Sequence, residues 1–451
     1  VEVKAAMTER SINLVVPLAH EATAMRIADT DRQRAARSGA VSQLSNRSGD
    51  VDSTIFPAGP GFRTSTTAIR TTTTRTTSSA PAPSADREAL SFAELVEAYL
   101  DCRCTKRNSN AALAFELRLE RNLRRLYDEL VSGSYSPGRS KCFVITRPKH
   151  REVWAAAFRD RIVHHLLYNR IGPRFEKSFI ADSCACIPGR GTLYAAQRLE
   201  AKIRSVTQNW SRPAYYLKCD LANFFVSIDK QIVLDLLLAK IREPFWAELT
   251  ALVLMHDPRT DFEFRGDRAS LERVPRHKRL MEQTADRGLP IGNLSSQFFA
   301  NVYLDVLDQR AKHRLGARHY IRYVDDFIFL HASPAWLNAA LADVAAFLPS
   351  RLGVQLNTKK TILQPIARGV DFVGHVIKPW SRTTRRRTVN EAVRRVAKVD
   401  PENFLSVSNS YFGLLGQAPS SHHDRATLAN AVRRRGHAVN RSLTKTYRGS
   451  S

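Results

Sequence analysis

The sequence predicts an α/β fold of the α+β kind: a small antiparallel sheet held among helices. Three observations predict it. From Asn110 to Val131, residues Leu113, Leu117, Leu123, Leu126 and Leu130 recur along one side at amphipathic-helix spacing. YIRYVDDFIFLH, residues 320–331, reads as two short apolar strands broken by a carboxylate pair. YYLKCD, residues 215–220, reads as another short strand, ending on an aspartate. At 451 residues the chain exceeds what one hydrophobic core usually fills, so two or three domains are expected.

Residues 1–86 differ from the rest. RTTTTRTTSSAPAPS, residues 70–84, is too poor in apolar groups to offset its ordering entropy, and the segment is expected to be disordered. Ordered patterning starts near Ser91, a candidate N-cap for the helical SFAELVEAYLDC, with the 110–131 helix next. Residues 132–138 form a turn, CFVIT (142–146) a strand, and RPKHREVW (147–154) its basic turn and return strand. Phe158 to Phe179 is helical. The charged stretch from Met255 to Arg287 reads as a surface insertion. Helices follow over Ser295–Leu315 and Trp336–Leu352. From Arg382 the chain is Arg-rich and is expected to be a basic helical subdomain with a frayed tail.

Lys and Arg outnumber Asp and Glu by 69 to 43, a net charge of +26. Such a charge calls for a polyanion, because each neutralised phosphate releases counterions. Nucleic acid is the leading class and an anionic membrane surface the alternative. No apolar run approaches the 18 or so residues that span a bilayer. The six cysteines include two C-x-C pairs, but their spacing matches no zinc-binding pattern; reduced thiols in a cytoplasm are expected.

The chemistry concentrates on carboxylates. Asp325 and Asp326 fall between two apolar strand segments, where charge is costly unless paired or metal-bound. Alone, an Asp-Asp pair is most simply a hairpin turn. Asp220 at another strand end changes that: three carboxylates on strand ends can hold two Mg2+ ions, which favour oxygen ligands. Such a pair clamps the attacking and leaving oxygens of an in-line phosphoryl displacement.

YVDD (323–326), preceded by the D-x4-F strand at Asp220–Phe225 and by GLPIGNLSSQ (288–297) between them, resembles the palm of a reverse transcriptase. The match runs from about Lys141 to Gln417, with the motifs in the family's order. It implies a right-hand polymerase: fingers, a palm with a small antiparallel sheet, and a helical thumb. The corresponding division is a low-complexity segment 1–86, fingers and palm 87–380, and a basic helical thumb and tail 381–451.

Carried over residue by residue, the resemblance implies that Asp220, Asp325, Asp326 and the Leu221 carbonyl hold two Mg2+ ions. Phe225 would be the steric gate against a 2′-hydroxyl; an ordinary core aromatic is the plainer reading. Lys149 and Arg151 would grip the incoming deoxynucleoside triphosphate. Arg159 and Arg161 would contact template or nucleotide, or simply form a solvated basic face. Ile291, Gly292 and Gln297 would pack beneath the new base pair. Lys360 would donate a proton to the leaving pyrophosphate, with Lys359 adjacent to it. Gly374 would centre a hairpin under the primer.

The IG-x3-SQ string, the insertion before it and the GVDFVGHVIKPW…RRRTV tail most resemble the reverse transcriptases of diversity-generating retroelements. That group implies an error-prone enzyme, encoded by a bacterium or phage, that copies a template RNA from a primer with errors at adenines. It also implies a small basic accessory protein. Retron-type and phage-defence reverse transcriptases share most of the motifs. A non-catalytic RNA-binding scaffold is the remote alternative, disfavoured because three mutually repelling carboxylates serve no scaffold.

Overall fold

The computed structural model describes residues 90–104, 109–146 and 149–448; the segment 1–86 lies outside them. Helix α1 (Phe92–Cys104) starts on a reciprocal capping box: Glu94 N donates to Ser91 Oγ at 3.2 Å, and Ser91 N donates to Glu94 Oε2 at 2.9 Å. The single helix expected over 110–131 is two helices, α2 (Asn110–Glu116) and α3 (Leu119–Ser132). Local side chains override the periodicity. Asn122 Nδ2 donates to the Phe115 carbonyl at 2.8 Å, while Glu116 is drawn to Arg103 and accepts from the Tyr99 hydroxyl at 3.0 Å. The break leaves Leu117 85% exposed instead of on the apolar side.

Strands β1 (Ser140–Ile145) and β2 (Arg151–Ala155) pair as an antiparallel hairpin, followed by α4 (Phe158–Glu176) and α5 (Thr192–Val206). After β3 (Tyr215–Asp220) come the single turn α6 (Phe224–Ser227), α7 (Lys230–Leu238) and α8 (Pro244–Met255). Residues 255–287 are not a surface appendage. Their strand β4 (Phe262–Arg265) pairs parallel with β1 as the third strand of that sheet, and Val274 and Leu280 are buried. The many charges obscured a four-residue strand and two inward aliphatic residues too sparse to form a period.

Helix α9 (Leu294–Gln309) ends earlier than expected and widens into a π turn, Arg310–Arg314. Strands β5 (Tyr320–Tyr323) and β6 (Asp326–His331) form the predicted hairpin, and α10 (Pro334–Leu352) follows. With β7 (Ile362–Pro365) they make a four-stranded antiparallel sheet in the order β5-β6-β3-β7. Alternate residues of this sheet feed two cores. Leu217, Cys219, Phe327 and Phe329 face the large helical core. Tyr216, Ile328 and Leu330 face a second one, shared with Leu199 and Ile203 of α5. Lys218, Asp220 and Asp326 continue the second parity to the end of the sheet.

A three-stranded sheet follows: β8 (Val370–Phe372), β9 (His375–Lys378) and β10 (Ser381–Thr384). Phe372 pairs with His375 across the two-residue turn Val373–Gly374, both at positive φ, the conformation that matches strand twist. Helices α11 (Arg386–Lys398), α12 (Pro401–Gly416) and α13 (His422–Arg433) then pack around Val396, Phe404, Phe412 and Leu428. The tail does not fray within the described residues. Ala438–Val439 pairs with Thr446–Tyr447, and Asn409 of α12 clasps it, accepting from Thr446 N at 2.6 Å. Among the described residues no helix is long and apolar enough to cross a membrane. The six cysteines are free, and burial pushes the thiols of Cys142, Cys184 and Cys219 up to about 12.

The β5–β6 hairpin rests on one buried ion pair. Arg322 and Asp308 are almost fully enclosed, with Nε to Oδ1 at 2.8 Å and Nη2 to Oδ2 at 2.7 Å. Every remaining donor position has work: Nη2 also donates to Ser183 Oγ at 2.8 Å, and Nη1 to Asn301 Oδ1 at 3.2 Å and to the Val324 carbonyl at 3.0 Å. Tyr320, two residues earlier on the same face, donates to Asp308 Oδ1 at 2.8 Å. Removing one partner of such a pair strands the other charge. Arg322→Met is therefore expected to lower stability by roughly 3–5 kcal/mol in urea unfolding, and adding Asp308→Leu should recover much of the loss.

Candidate active site

Tyr323 pairs with Asp326, leaving Val324 and Asp325 as a two-residue turn. Val324 sits at φ +56°, a left-handed conformation that costs a β-branched residue of order 1–3 kcal/mol and persists only where the surroundings enforce it. The Arg322 bond to the Val324 carbonyl is one such constraint. Asp220 lies directly across the ladder from Asp326. Burial, and then the charge of Asp220, push the Asp325 carboxyl up to about 6. Burial likewise pushes Asp326 up to about 6, against the pull of the Lys218 ammonium.

Cations meet this charge. Lys360 Nζ is 2.7 Å from both Asp220 oxygens, and Asn357 Nδ2 donates to Oδ1 at 3.2 Å. Lys218 Nζ is 3.0 Å from Asp326 Oδ2 and donates to the Asp371 carbonyl at 2.9 Å, tying the palm sheet to the Gly374 hairpin. Lys218 and Asn357 went unnoticed in the sequence. Lys218 carried a readable signal, since position i−2 from Asp220 on a strand shares its face. Further out, partial desolvation and the charges of Lys360, Lys278, Arg387 and Arg151 hold the Lys149 ammonium below its ordinary value. Lys360 and Lys218 thus bind the carboxylates directly, and Arg151 acts on Asp325 from the β1–β2 hairpin, while Lys278 and Arg387 bring further positive charge beside Lys149.

The sequence profile described as Reverse transcriptase (RNA-dependent DNA polymerase) matches residues 147–377, just over half of the chain. The chain belongs to the reverse transcriptase family. No curated protein matches it. Among solved structures it is similar to telomerase from Candida albicans in complex with a fragment of telomeric RNA: 11% identity, 66% of this chain, 55% of that one and a TM-score of 0.40. Apo telomerase from Candida tropicalis gives 12% identity, 66% and 57% coverage and 0.42; its form truncated of the C-terminal domain gives 12%, 55% and 55%, and 0.41. The chain spans just over half the length of these structures.

Reverse transcriptases in general work with divalent metal ions. Among the described residues, no three His, Cys, Asp or Glu side chains are gathered closely enough to hold one in this conformation. The donor set nonetheless fits a hard cation: it offers oxygens only, Asp326 Oδ1 is buried without a partner, and two ammonium groups occupy the carboxylate faces an ion would take.

The other predicted residues divide into two groups. Arg151 is exposed at the start of β2, and its charge acts on Asp325. Leu221 is buried and bridges to Leu356 just beyond Asp220. Gln297 is half-buried in the first turn of α9. Gly374 has φ +89° with open space where a Cβ would stand, so the turn alone requires glycine there. Arg159 and Arg161, expected as nucleic-acid contacts, are both also engaged by the fold. Arg159 pairs with Glu129 of α3 and lies over the Tyr135 ring, and Arg161 Nε donates to the Ala156 carbonyl at 3.0 Å.

Phe225, Ile291 and Gly292 are joined by a backbone strap, residues 286–293. Lys230 N donates to the Asp286 carbonyl at 2.9 Å, Gly288 N to Ile228 and Leu289 N to Phe225, both at 2.8 Å. At its other end, Trp154 N of β2 donates to the Ile291 carbonyl at 2.8 Å, and Ala156 N to Asn293 Oδ1 at 3.1 Å. Gly292, at φ +125°, presses against β2: a Cβ there would meet Val153 Cγ1 at 2.9 Å and the Trp154 carbonyl at 3.0 Å. The close approach that requires this glycine is thus to the fingers backbone.

The raised carboxyl of Asp325 gives a signed expectation. Its value of about 6 lies above the roughly 3.9 of an unfolded chain, so its ionisation costs stability increasingly as pH rises between the two. In EDTA, Asp325→Asn should be more stable than the parent by up to about 3 kcal/mol at pH 7.5, with the gain vanishing near pH 4. Millimolar Mg2+ should reverse the order by stabilising only the parent. Thermal melts across pH with and without Mg2+ check this.

Proposed function

We propose that this protein is an RNA-directed DNA polymerase that copies a template RNA into cDNA by two-metal nucleotidyl transfer. The observation that carries the reading is the meeting of Asp220, Asp325 and Asp326 at one sheet end, with Lys360 and Lys218 bound to them. Asp220, Asp325, Asp326 and the Leu221 carbonyl would hold two Mg2+ ions. When bound, these ions lower the pKa of the primer 3′-hydroxyl and neutralise the triphosphate.

The chain's own residues do the rest. Lys149 and Arg151 receive the triphosphate of a deoxynucleotide, with Lys278 and Arg387 adding to the field that draws it in. Phe225, half-buried on its single turn and held through its carbonyl by the strap, presents its ring against a 2′-hydroxyl. Ile291, Gly292 and Gln297 bear on the new base pair, and the Gly374 turn on the primer. Lys360, 52% exposed on its side chain, turns from Asp220 to the departing pyrophosphate to give it a proton.

Within the family we place the chain with the error-prone enzymes of diversity-generating retroelements, in a bacterial or phage setting, in the cytoplasm, with a small basic accessory protein as partner. Support comes from IGNLSSQ, with Ile291 at the end of the strap that bonds to β2, and from the GVDFVGHVIKPW…RRRTV tail.

Primer extension on RNA with Mg2+ and four deoxynucleotides, followed by sequencing, tests both levels. Full-length cDNA with errors concentrated at template adenines is expected. Accurate cDNA would move the chain to the retron-type or phage-defence enzymes. No product, even with cell extract supplying partners, would favour a scaffold. Asp325→Asn should lose extension by at least about 1,000-fold while binding RNA as before; parallel loss of RNA binding would refute the assignment. Ile291→Asn should change misincorporation at template adenines, and an unchanged error spectrum would remove the mutagenic role.

A further inference from the structure

We infer that Glu152 is a positioning residue for nucleotide selection: a buried carboxylate that locks the insertion and its strap against the triphosphate-binding hairpin. The inference rests on the polymerase reading and adds a determinant outside the carboxylate and cation sets.

Glu152 follows Arg151 on β2 but points inward and is 4% exposed. Among the described residues no ion pair serves it, and the charge of Arg279 steadies it without direct contact. Oε2 accepts from Leu280 N at 2.6 Å, and Oε1 accepts from Trp154 Nε1 at 3.0 Å. A buried carboxylate held by neutral donors is expensive, and an apolar residue would fill the same space at lower cost. What the carboxylate does here is join two polar donors from distant parts of the chain. Leu280 belongs to the insertion, and the indole of Trp154 belongs to the strand that carries Arg151.

The consequence follows along the backbone. The chain leaves Leu280, loops back beneath it and enters the strap at Asp286. Gly288 packs so closely there that a Cβ would meet Leu280 Cδ1 at 2.6 Å and the Val226 backbone at 3.2 Å. From that point the strap holds the Phe225 carbonyl through Leu289 and then meets Trp154 N through Ile291. Glu152 and Trp154 thus close a ring running from β2 through Leu280, Gly288 and Leu289 to Ile291 and back to β2. The ring joins Arg151, which faces the triphosphate, to Phe225, which faces the sugar, and to Ile291, which faces the base pair. A shift at Leu280 moves all three together, yet Glu152 touches neither the metal-binding carboxylates nor Lys360.

Glu152→Gln is the informative substitution. It keeps the shape but offers one acceptor oxygen to two donors and turns an amide N–H towards the other. In the full chain with Mg2+, E152Q should raise KM for the deoxynucleotide about tenfold and alter the misincorporation spectrum. At saturating nucleotide, kcat should stay within about threefold of the parent and the melting temperature should be nearly unchanged. KM and error spectrum equal to the parent's would overturn the inference. So would equal losses of kcat and melting temperature with KM kept, which would reduce Glu152 to fold support. If E152Q does not fold, Trp154→Phe removes the indole donor together with some ring volume, and its KM and error spectrum, read against its melting temperature, carry the same comparison. Absence of cDNA from the parent chain would overturn the polymerase reading and this inference together, whereas an active parent with a kinetically identical variant overturns this inference alone.

Discussion

The site depends first on the Arg322–Asp308 pair. A two-residue turn with a valine at positive φ does not hold itself, and two aspartates at its edge repel each other and Asp220. Arg322 holds the turn from beneath by its bond to the Val324 carbonyl, while its charge is answered by Asp308 on the last turn of α9. The same guanidinium reaches Ser183, and its backbone exchanges bonds with Asp182 and Cys184. One residue therefore fixes the hairpin relative to α9 and to the loop before α5. Buried ion pairs are seldom retained for stability alone, and this one sits where a strained turn must be aimed.

That foundation allows the palm sheet to carry opposing charges at its end. Asp220 and Asp326 face each other across the ladder, an arrangement that costs energy unless cations intervene. Lys360 and Lys218 intervene in this conformation, and both can be displaced: Lys360 is half exposed, and Lys218 has a second partner in the Asp371 carbonyl. The carboxylates are poised for cations, and burial first, then their mutual charge, holds Asp325 and Asp326 above the ordinary carboxylate range.

The fingers hairpin reaches the palm through hydrogen-bonded backbone as well as packing. The strap bonds to β2 at one end and to the 225–230 segment at the other, with two glycines where the chains pass too closely for a side chain. Arg151, Phe225 and Ile291, to which we assign the phosphate, sugar and base of one nucleotide, thereby belong to a single hydrogen-bonded frame, with Glu152 bonded to both sides of it.

The sequence by itself located the three carboxylates. Asp220, Asp325 and Asp326 were legible because carboxylates at apolar strand ends are anomalous, and the order of three motifs placed them in one palm. The strands of that palm were legible because period-two patterns are local. What only the tertiary structure decided were the partners. Nothing local distinguishes Arg322, which holds the hairpin, from Arg159, which pairs with Glu129 of α3, or from Arg387, which is exposed and acts on Lys149. Each is a guanidinium in a mixed stretch, and only the neighbour brought to it across the fold sets its role. The same holds for residues 255–287. Their charge suggested solvent, but a four-residue strand beside β1 and backbone amides offered to Glu152 make them part of the β1–β2 sheet and its support, because strand pairing and buried hydrogen bonds depend on residues more than a hundred positions away.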